Sequence, residues 1–338
     1  MLSYIPFPAW IRPEIIPGLP LRWYGLMYIF AFLTAYFLFV RQVREKKLDI
    51  SSDTSTNLFF WCIIGLLIGA RVFSALFYDR TGKYWLNPLL IFWPFDSDFN
   101  FTGLQGMSYH GGLIGVIAGC VLYCRKNRLN TAEIGDMLAA AAPLGYTFGR
   151  LGNFINGELY GRVTAVPWGM VFPRARSFPL NQEWVTETAE KAGMDIFAAS
   201  GFINLPRHPS QLYEALFEGI ILWAALWFFF RRKKLAHGSI IGLYTAGYGL
   251  VRFFIEYFRE PDSDLGFILQ LSSRDASIHR LDSFLNFTMG QVLCLLMIIG
   301  GLGFTWYVNR KEKSSAGGRV SVSGKHMLKT GKKKHRRR

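Results

Sequence analysis

The sequence predicts an all-α, polytopic membrane protein with seven transmembrane helices, an N-terminus outside and a C-terminus in the cytoplasm. Three observations predict this fold class. Hydrophobic residues make up 51% of the 338 residues, and the mean hydropathy is positive at +0.21. Several apolar runs approach the roughly 20 residues that a helix needs to cross a bilayer. Clusters of Lys and Arg follow alternate runs, which gives one consistent orientation.

Seven apolar segments are candidates for the transmembrane helices. They cover residues 21–40, 57–77, 110–124, 132–149, 212–230, 238–257 and 287–307. The third segment is short and the fourth is only weakly apolar. With seven spanning segments, all the Lys and Arg clusters fall on the same side of the membrane.

Basic clusters follow the first, third, fifth and seventh segments. They lie at 41–47, 125–128, 231–234 and in the tail 308–338. With seven spans all four clusters fall on one side, which the positive-inside rule makes cytoplasmic. The longest connection on the outer side, about 150–211, is long enough to predict a small external cap.

The C-terminal segment 308–338 is expected to lie outside the membrane domain, which covers 1–307. It contains twelve Lys or Arg and one acid, Glu312, so eleven of the fifteen net positive charges of the chain lie there. Its composition, without apolar periodicity, predicts a disordered cytoplasmic extension that contacts anionic lipid. No aromatic or structured element accompanies the charge, so we expect no nucleic-acid binding.

The cysteines predict neither a disulfide nor a metal site. All of them lie in apolar segments, where thiols behave as small hydrophobic groups. They are Cys62, Cys120, Cys124 and Cys294. No His or acidic residue completes a metal-binding set with them.

Segment 149–161 places polar side chains among glycines at the outer end of the fourth apolar segment. Its polar residues include Arg150, Asn153, Asn156 and Glu158. Polar groups are costly at membrane depth and persist mainly where they have partners and a task. Arginine suits phosphate because its planar fork donates in parallel, and glycines let backbone amides approach the same oxygens. The segment therefore predicts a site for a charged ligand at a bilayer surface.

A second polar group ends the sixth apolar segment. Tyr248, Arg252 and Glu256 have i, i+4, i+8 spacing and share one helical face, to which Arg259 returns. One interpretation is a structural Arg252–Glu256 pair that neutralises itself. The other interpretation is an anion-binding site. The face carries two arginines and one glutamate, so one positive charge stays unpaired within it.

His110 stands at the outer start of the third segment. Histidine titrates near neutral pH and accepts protons from thiols or hydroxyls, although a lone interfacial histidine is also often structural. Small residues at four-residue spacing predict close packing of the third and fourth segments, which would bring His110 near Arg150. These residues are Gly111, Gly115 and Gly119 in the third segment and Gly145 and Gly149 in the fourth.

Several other residues have simpler or open interpretations. Tyr24 is either an aromatic residue of the membrane interface or a substrate contact. Glu214 and Glu218 open the fifth segment, where acids are favourable to the helix dipole, so a structural role is expected. Arg71, well inside the second segment, either extends toward the interface or pairs with an acid.

The motifs around these residues resemble the prolipoprotein diacylglyceryl transferases of bacterial membranes. The family signature Gly-Arg-x-Gly/Ala-Asn-Phe-apolar-Asn-x-Glu-x-x-Gly fits residues 149–161 throughout. The sequences HGG at 110–112, HPSQLYE at 208–214 and YGxxRFxxExFRxPD at 248–262 are similar to further blocks of the family, in the same order.

The resemblance implies a multi-pass protein of the bacterial inner membrane with its active site toward the outer leaflet. It implies transfer of an sn-1,2-diacylglyceryl group from phosphatidylglycerol to the lipobox cysteine of a preprolipoprotein, with release of glycerol phosphate. Neither a metal nor another cofactor is expected, because the phospholipid arrives already activated. A phospholipid transporter or flippase, or a non-catalytic lipid-binding protein, would use the same basic cavity without releasing glycerol phosphate.

The resemblance also assigns site residues by motif position. They are Tyr24, His110, Arg150, Asn153, Glu158, Gly161, Tyr248, Arg252 and Glu256, with Arg259 as a further substrate-binding residue. We expect Arg150 and Arg252 to hold the phosphate, with a hydrogen bond from Asn153. Glu256 would fix Arg252, and Glu158 would order the loop. His110 is the preferred general base, and Tyr248 is its competitor.

Overall fold

Apolar helices dominate the computed structural model. It describes residues 4–19, 21–79, 81–95, 99–100, 103, 106–197, 200–261, 266–271 and 277–330, with side chains up to Ser314. Within these ranges, four helices are long and apolar enough to cross a membrane: Trp23–Glu45, Ser52–Tyr78, Ser210–Arg232 and Met289–Ser314. The protein is therefore a mostly helical, polytopic membrane protein.

Helices also cover the other three predicted segments. In chain order the helices are α1 (Trp23–Glu45), α2 (Ser52–Phe73), α3 (Lys83–Leu86), α4 (Tyr109–Lys126), α5 (Thr131–Asn156), α6 (Glu183–Lys191), α7 (Ser210–Arg232), α8 (Ser239–Ile255) and α9 (Met289–Thr330). Helix α2 continues as a π-helical turn at Ser74–Tyr78, and α7 contains π-helical stretches at Glu214–Ile221 and Ala225–Phe229.

Short strands form three two-stranded pairings. The strands are β1 (Ile5–Pro6), β2 (Met170–Val171), β3 (Phe178–Pro179), β4 (Phe202–Ile203), β5 (Phe267–Gln270) and β6 (Asn286–Thr288). Strand β1 pairs with β2 in parallel, whereas β3–β4 and β5–β6 are antiparallel. The chain divides into two compact units, one of Met1–Ala35 with Ala139–Arg338 and the other of Tyr36–Leu138.

In the second unit, α4 packs against α2 through glycines. A Cβ on Gly115 would lie 1.9 Å from the carbonyl oxygen of Gly65, and one on Gly111 would lie 2.3 Å from that of Gly69. Only glycines allow the two backbones to come this close. The predicted packing of this glycine face against the fourth segment is wrong, because α2 carries the complementary glycines.

Arg71 of α2 binds the connection that follows it. Its Nε donates to the carbonyl of Ile91 at 2.5 Å, and its Nη2 donates to the hydroxyl of Tyr84 at 3.0 Å. The carbonyl of Gly106 accepts from Nη1 at 3.4 Å. Since only 4% of Arg71 is exposed, these contacts fix the buried guanidinium and the connecting segment together.

The segment between α5 and α7 has a hydrophobic core of its own within the first unit. This core consists of Val163, Phe178, Val185, Ala189, Ile203 and Leu205. The amphipathic helix α6 contributes two of these residues, and the β3–β4 pair contributes two others. The segment is thus a folded element, and its placement outside the membrane stays a prediction.

The last helix crosses the predicted domain boundary. Its backbone continues without a break past residue 307 to Thr330, so the structure marks no end of the membrane domain there. Residues 331–338 lie outside the described residues. The predicted disorder of 308–338 stays a prediction.

Candidate active site

A cluster of charged and hydroxyl side chains joins α5, α7 and α8 in the first unit. Its members are Tyr146 and Arg150 on α5, Glu214 and Glu218 on α7, and Arg252 on α8 with Glu256 capping the end of that helix. On each helix the two residues are four positions apart, so both side chains project from the same face. Packing of the three helices brings these faces together.

Arg150 is held through its Nε atom. Nε donates to the hydroxyl of Tyr146 at 2.6 Å and lies 2.8 Å from Oε2 of Glu214. The guanidinium also lies 4.7 Å from the centre of the Tyr146 ring, within the range of a cation–π contact. The Arg150 side chain is 17% exposed, whereas that of Glu214 is fully buried. These contacts therefore fix the guanidinium from its buried side.

Arg252 contacts carboxylates of two helices. Its Nη1 lies 3.3 Å from Oε2 of Glu214 and 3.5 Å from Oε1 of Glu218. Its Nη2 donates to Oε2 of Glu256 at 2.9 Å. The structural Arg252–Glu256 pair considered from the sequence is therefore present. It is one part of a larger network that includes α7.

Tyr146 connects the acids of α7 with Arg150. Its hydroxyl makes a short hydrogen bond to Oε2 of Glu218 and lies 3.4 Å from Oε2 of Glu214. A hydroxyl has one proton to donate and can accept at the same time. The hydroxyl of Tyr146 thus donates to Glu218 while accepting from Arg150.

Glu256 is fixed on its other side by β6 and the start of α9. Its Oε1 accepts a hydrogen bond from Oγ1 of Thr288 at 3.1 Å. Its Oε2 lies 3.9 Å from Nη1 of Arg259. A Cβ on Gly290 would lie 2.8 Å from Oε1, so glycine leaves room for the carboxylate there.

The network contains as many acids as arginines. Its acids are Glu214, Glu218 and Glu256, and its bases are Arg150, Arg252 and Arg259. The anion-binding interpretation counted only the charges of α8, whereas Glu214 and Glu218 of α7 also contact Arg252. In the sequence, the i, i+4 spacing of Glu214 and Glu218 indicates that both acids lie on one face of the helix, as it does for Arg252 and Glu256. An anionic ligand must therefore compete with carboxylates for the guanidinium of Arg252, whereas Glu214 contacts Arg150 through Nε.

Glu158 shapes the loop that follows α5. Its Oε1 accepts from Nδ2 of Asn153 at 3.0 Å and from Nδ2 of Asn156 at 3.2 Å. Its backbone carbonyl accepts from Nε2 of Gln211 at 2.6 Å. Gly157 has a φ of +65°, a left-handed conformation that glycine adopts without strain. These bonds order the loop in the way predicted for Glu158, and Asn153 takes part in them as a donor.

Gly161 lies where three backbone segments meet. Its amide donates to the carbonyl of His208 at 2.8 Å. A Cβ at Gly161 would lie 2.2 Å from the carbonyl oxygen of Phe258 and 2.8 Å from Cβ of His208. The structure therefore gives this predicted substrate-binding residue a packing role, which holds the loop against the end of α8.

His208 begins the segment that leads into α7. It is 8% exposed, and its Nδ1 lies 3.1 Å from the hydroxyl of Tyr213. Burial, followed by the positive charge of Arg162, lowers the pKa of His208 to about 4. The imidazole is therefore neutral near pH 7 and supports the loop as an uncharged group.

The two predicted tyrosines have aromatic neighbours. The hydroxyls of Tyr24 and Tyr28 lie 3.0 Å apart, and their rings meet edge to face at 5.0 Å. The ring of Tyr248 lies 6.1 Å from that of Tyr146, edge to face, and 6.2 Å from that of Tyr244. Tyr248 thus borders the charged network through Tyr146.

His110 lies in the second unit, near the start of α4. It is exposed, and its Nδ1 lies 3.2 Å from the hydroxyl of Tyr78. The side chain of Ser108 caps the helix by accepting from the amide of Gly111 at 3.2 Å. His110 and Arg150 belong to different units. Their predicted proximity therefore stays a prediction.

Metal-ligating side chains are scattered in the part of the chain that the structure describes. Within those ranges, no three or more His, Cys, Asp or Glu side chains are arranged to hold a metal ion.

Comparisons with known proteins identify the family. A family model described as prolipoprotein diacylglyceryl transferase matches residues 13–307. A relative from Treponema denticola is 47% identical over 96% of this chain and 100% of its own length. A second, from Treponema pallidum, is 48% identical over 90% of this chain and 94% of its own length. Both relatives are named phosphatidylglycerol–prolipoprotein diacylglyceryl transferase. The resemblance seen in the motifs is confirmed, and the chain belongs to the prolipoprotein diacylglyceryl transferase family.

Proposed function

We propose that this protein transfers the sn-1,2-diacylglyceryl group of phosphatidylglycerol to the lipobox cysteine of preprolipoproteins. This is the activity that the names of its relatives state. One observation carries the proposal for this chain: Oε2 of Glu214 contacts both Arg150 and Arg252. Two guanidinium groups on different helices are thereby brought to one place.

A pair of arginines at one place suits the phosphodiester of the lipid. Guanidinium forks donate in parallel to phosphate oxygens and keep their charge when water is excluded. Because the leaving phosphate gains negative charge in the transition state, preorganised donors stabilise that state more than the bound substrate. Arg150 and Arg252 hold the phosphate in this proposal, and Asn153 adds a hydrogen bond.

The reaction is an alkyl transfer to sulfur. The cysteine sulfur attacks the glycerol carbon that carries the phosphate, and the carbon–oxygen bond breaks with its electron pair going to the phosphate oxygen. The products are a thioether and glycerol phosphate. The phosphate is itself the leaving group, so the reaction calls for neither a metal nor a nucleotide.

The thiol proton needs an acceptor. A free cysteine has a pKa of about 8.5, and the thiolate is the nucleophile. We assign the proton to His110, whose Nδ1 is engaged by Tyr78 while its Nε2 has no hydrogen bond within the described residues. Tyr248 is the competing candidate, since its ring borders the network at Tyr146.

We further propose seven transmembrane helices in the bacterial inner membrane, with the N-terminus outside and the C-terminus in the cytoplasm. Helices over all seven predicted segments and the four basic clusters support this topology. In this topology the end of α5, the loop that follows it and the folded segment before α7 lie on the outer side. Phosphatidylglycerol then enters from the outer leaflet, where the secreted part of a preprolipoprotein also emerges.

The test is a turnover assay with purified protein. Phosphatidylglycerol and a lipobox peptide are supplied, and the peptide is weighed by mass spectrometry while glycerol phosphate is measured in solution. We expect the peptide to gain one diacylglyceryl group for each glycerol phosphate released, and Arg150→Ala to abolish both. Failure of the peptide to gain this mass, or full activity of Arg150→Ala, would refute the proposal. Lipid movement between leaflets without glycerol phosphate would instead indicate a transporter or flippase.

A further inference from the structure

The guanidinium of Arg150 is bound on one side only. Nε contacts the Tyr146 hydroxyl at 2.6 Å and Glu214 Oε2 at 2.8 Å. Within the described residues, neither terminal nitrogen of Arg150 makes a hydrogen bond. The side chain keeps 17% of its surface exposed although its carboxylate partner is fully buried. The two terminal nitrogens are therefore the part of the guanidinium that is left for a ligand.

Because Arg150 is held through Nε, its two terminal nitrogens stay available to a phosphate group. If a carboxylate held both terminal nitrogens, it would occupy the fork that matches two phosphate oxygens. An acceptor at Nε fixes the plane of the guanidinium and leaves that fork unoccupied. Glu214 also contacts Nε, but its Oε2 is shared with Arg252 at 3.3 Å, whereas the Tyr146 hydroxyl accepts from Arg150.

We propose that Tyr146 is a positioning residue that holds Arg150 by Nε and directs both terminal nitrogens toward an anionic headgroup. Its hydroxyl is itself oriented by the short hydrogen bond that it donates to Glu218. Because that proton is committed to Glu218, a lone pair of the hydroxyl faces Nε. This proposal rests on the proposed function, since the headgroup is that of the lipid substrate.

The alternative is that Tyr146 only joins α5 to α7 through Glu218. Removal of the Tyr146 hydroxyl has a different effect under the structural role than under the positioning role. A structural bond affects the stability of the fold and the binding of all lipids alike. A positioning bond affects only ligands that carry a phosphate, because only these use the fork of Arg150.

The test is Tyr146→Phe, which keeps the ring beneath Arg150 and removes the hydroxyl. We expect the KM for phosphatidylglycerol to rise by about tenfold or more, the size of one charge-assisted hydrogen bond. The inhibition constant of diacylglycerol, which has no phosphate, should stay within about twofold of the wild-type value. In an Arg150→Lys background, where Nε is absent, Tyr146→Phe should have little further effect on KM.

Tyr257→Phe is the matched control. It removes a hydroxyl that donates to the backbone carbonyl of Phe284 at 3.0 Å, away from Arg150. We expect a similar change in thermal stability and an unchanged KM. An unchanged KM in Tyr146→Phe, or equal changes for phosphatidylglycerol and diacylglycerol, would overturn the positioning role. Wild-type protein that releases no glycerol phosphate would refute the proposed function itself, whereas these outcomes would not.

Discussion

Glu214 and Arg150 form a 2.8 Å salt bridge between α7 and α5, although the Glu214 side chain has no exposure to solvent. Its Oε2 makes this contact and lies 3.3 Å from Nη1 of Arg252. Its Oε1 is buried without a hydrogen-bond partner within the described residues. Burial of a carboxylate with one unsatisfied oxygen is costly, so the two arginines hold Glu214 in place chiefly by charge.

We predict that Glu214→Gln lowers the stability of the protein and increases its response to phosphatidylglycerol. Removing one partner of a buried ion pair costs about 3–5 kcal/mol because it leaves charge uncompensated. The phosphate of the lipid supplies the missing negative charge, so lipid binding should stabilise this variant more than the wild type. Thermal unfolding in detergent, with and without phosphatidylglycerol, measures both effects.

Glu187→Gln is the control for this prediction. Glu187 pairs with Lys191 at 2.7 Å on the exposed side of α6, far less buried than Glu214. We expect no change in unfolding temperature or in the response to lipid. Equal stabilisation of Glu214→Gln by phosphatidylglycerol and by zwitterionic phosphatidylcholine would contradict the explanation through charge.

The second prediction concerns the general base. His110→Gln should slow single-turnover alkylation at pH 7 by about 100-fold or more, the usual contribution of a positioned base. The loss should shrink as the pH rises toward about 8.5, because the thiol then ionises without help. Rapid quench with a lipobox peptide and mass detection measures the rate of the chemical step.

Two further variants separate the candidates for this role. Tyr78→Phe removes the hydroxyl on Nδ1 of His110 and should slow the reaction less than His110→Gln, since only the orientation of the ring is affected. Tyr248→Phe should retain the pH dependence of the wild type. If His110→Gln reacts at the normal rate at pH 7 and Tyr248→Phe does not, the base is Tyr248.

The helices, and three of the six residues of the network (Arg150, Arg252 and Glu256), could be predicted from the sequence because they follow local patterns. Apolar runs of sufficient length give the helices. The i, i+4 spacing of Arg252 and Glu256 gives a pair within one helix. Their contact at 2.9 Å was therefore among the alternatives considered from the sequence.

Contacts between helices were harder to predict, because they depend on how the helices pack. Tyr146 has no motif of its own, and the acids at 214 and 218 resembled ordinary residues of a helix start. Only the packing of α5 against α7 makes Tyr146 a partner of Glu218. The same holds for the glycines of α4. Their spacing indicates close packing against another helix, but only the structure identifies that helix as α2.

The third prediction is that Gly161→Ala prevents correct folding of the loop after α5. Its Cβ would lie 2.2 Å from the carbonyl oxygen of Phe258, a distance that requires the backbone to move. That movement would break the 2.8 Å bond from its amide to His208. We expect lower yield of folded protein and little turnover. Gly303→Ala is the control, because a Cβ there has no neighbour within 4 Å, and alanine favours a helix interior by about 1 kcal/mol.

The fourth prediction is a pH dependence of stability that comes from His208. Burial, and then the positive charge of Arg162, lowers the pKa of His208 to about 4, whereas an unfolded histidine has a pKa of about 6.5. Between these values the unfolded state binds more protons than the folded state, so stability falls as the pH drops. The loss begins below about pH 6.5 and approaches roughly 3 kcal/mol near pH 4.

This contribution is measured as the difference between wild-type protein and His208→Gln, each unfolded by heat or denaturant from pH 7.5 to 4. Glutamine does not titrate in this range, so the variant should lose the part of the slope that His208 causes, while other groups titrate in both proteins. His237→Gln, at an exposed position, should keep the wild-type slope. Parallel curves for wild type and His208→Gln would show that the folded protein accommodates a charged His208, which the burial of this side chain argues against.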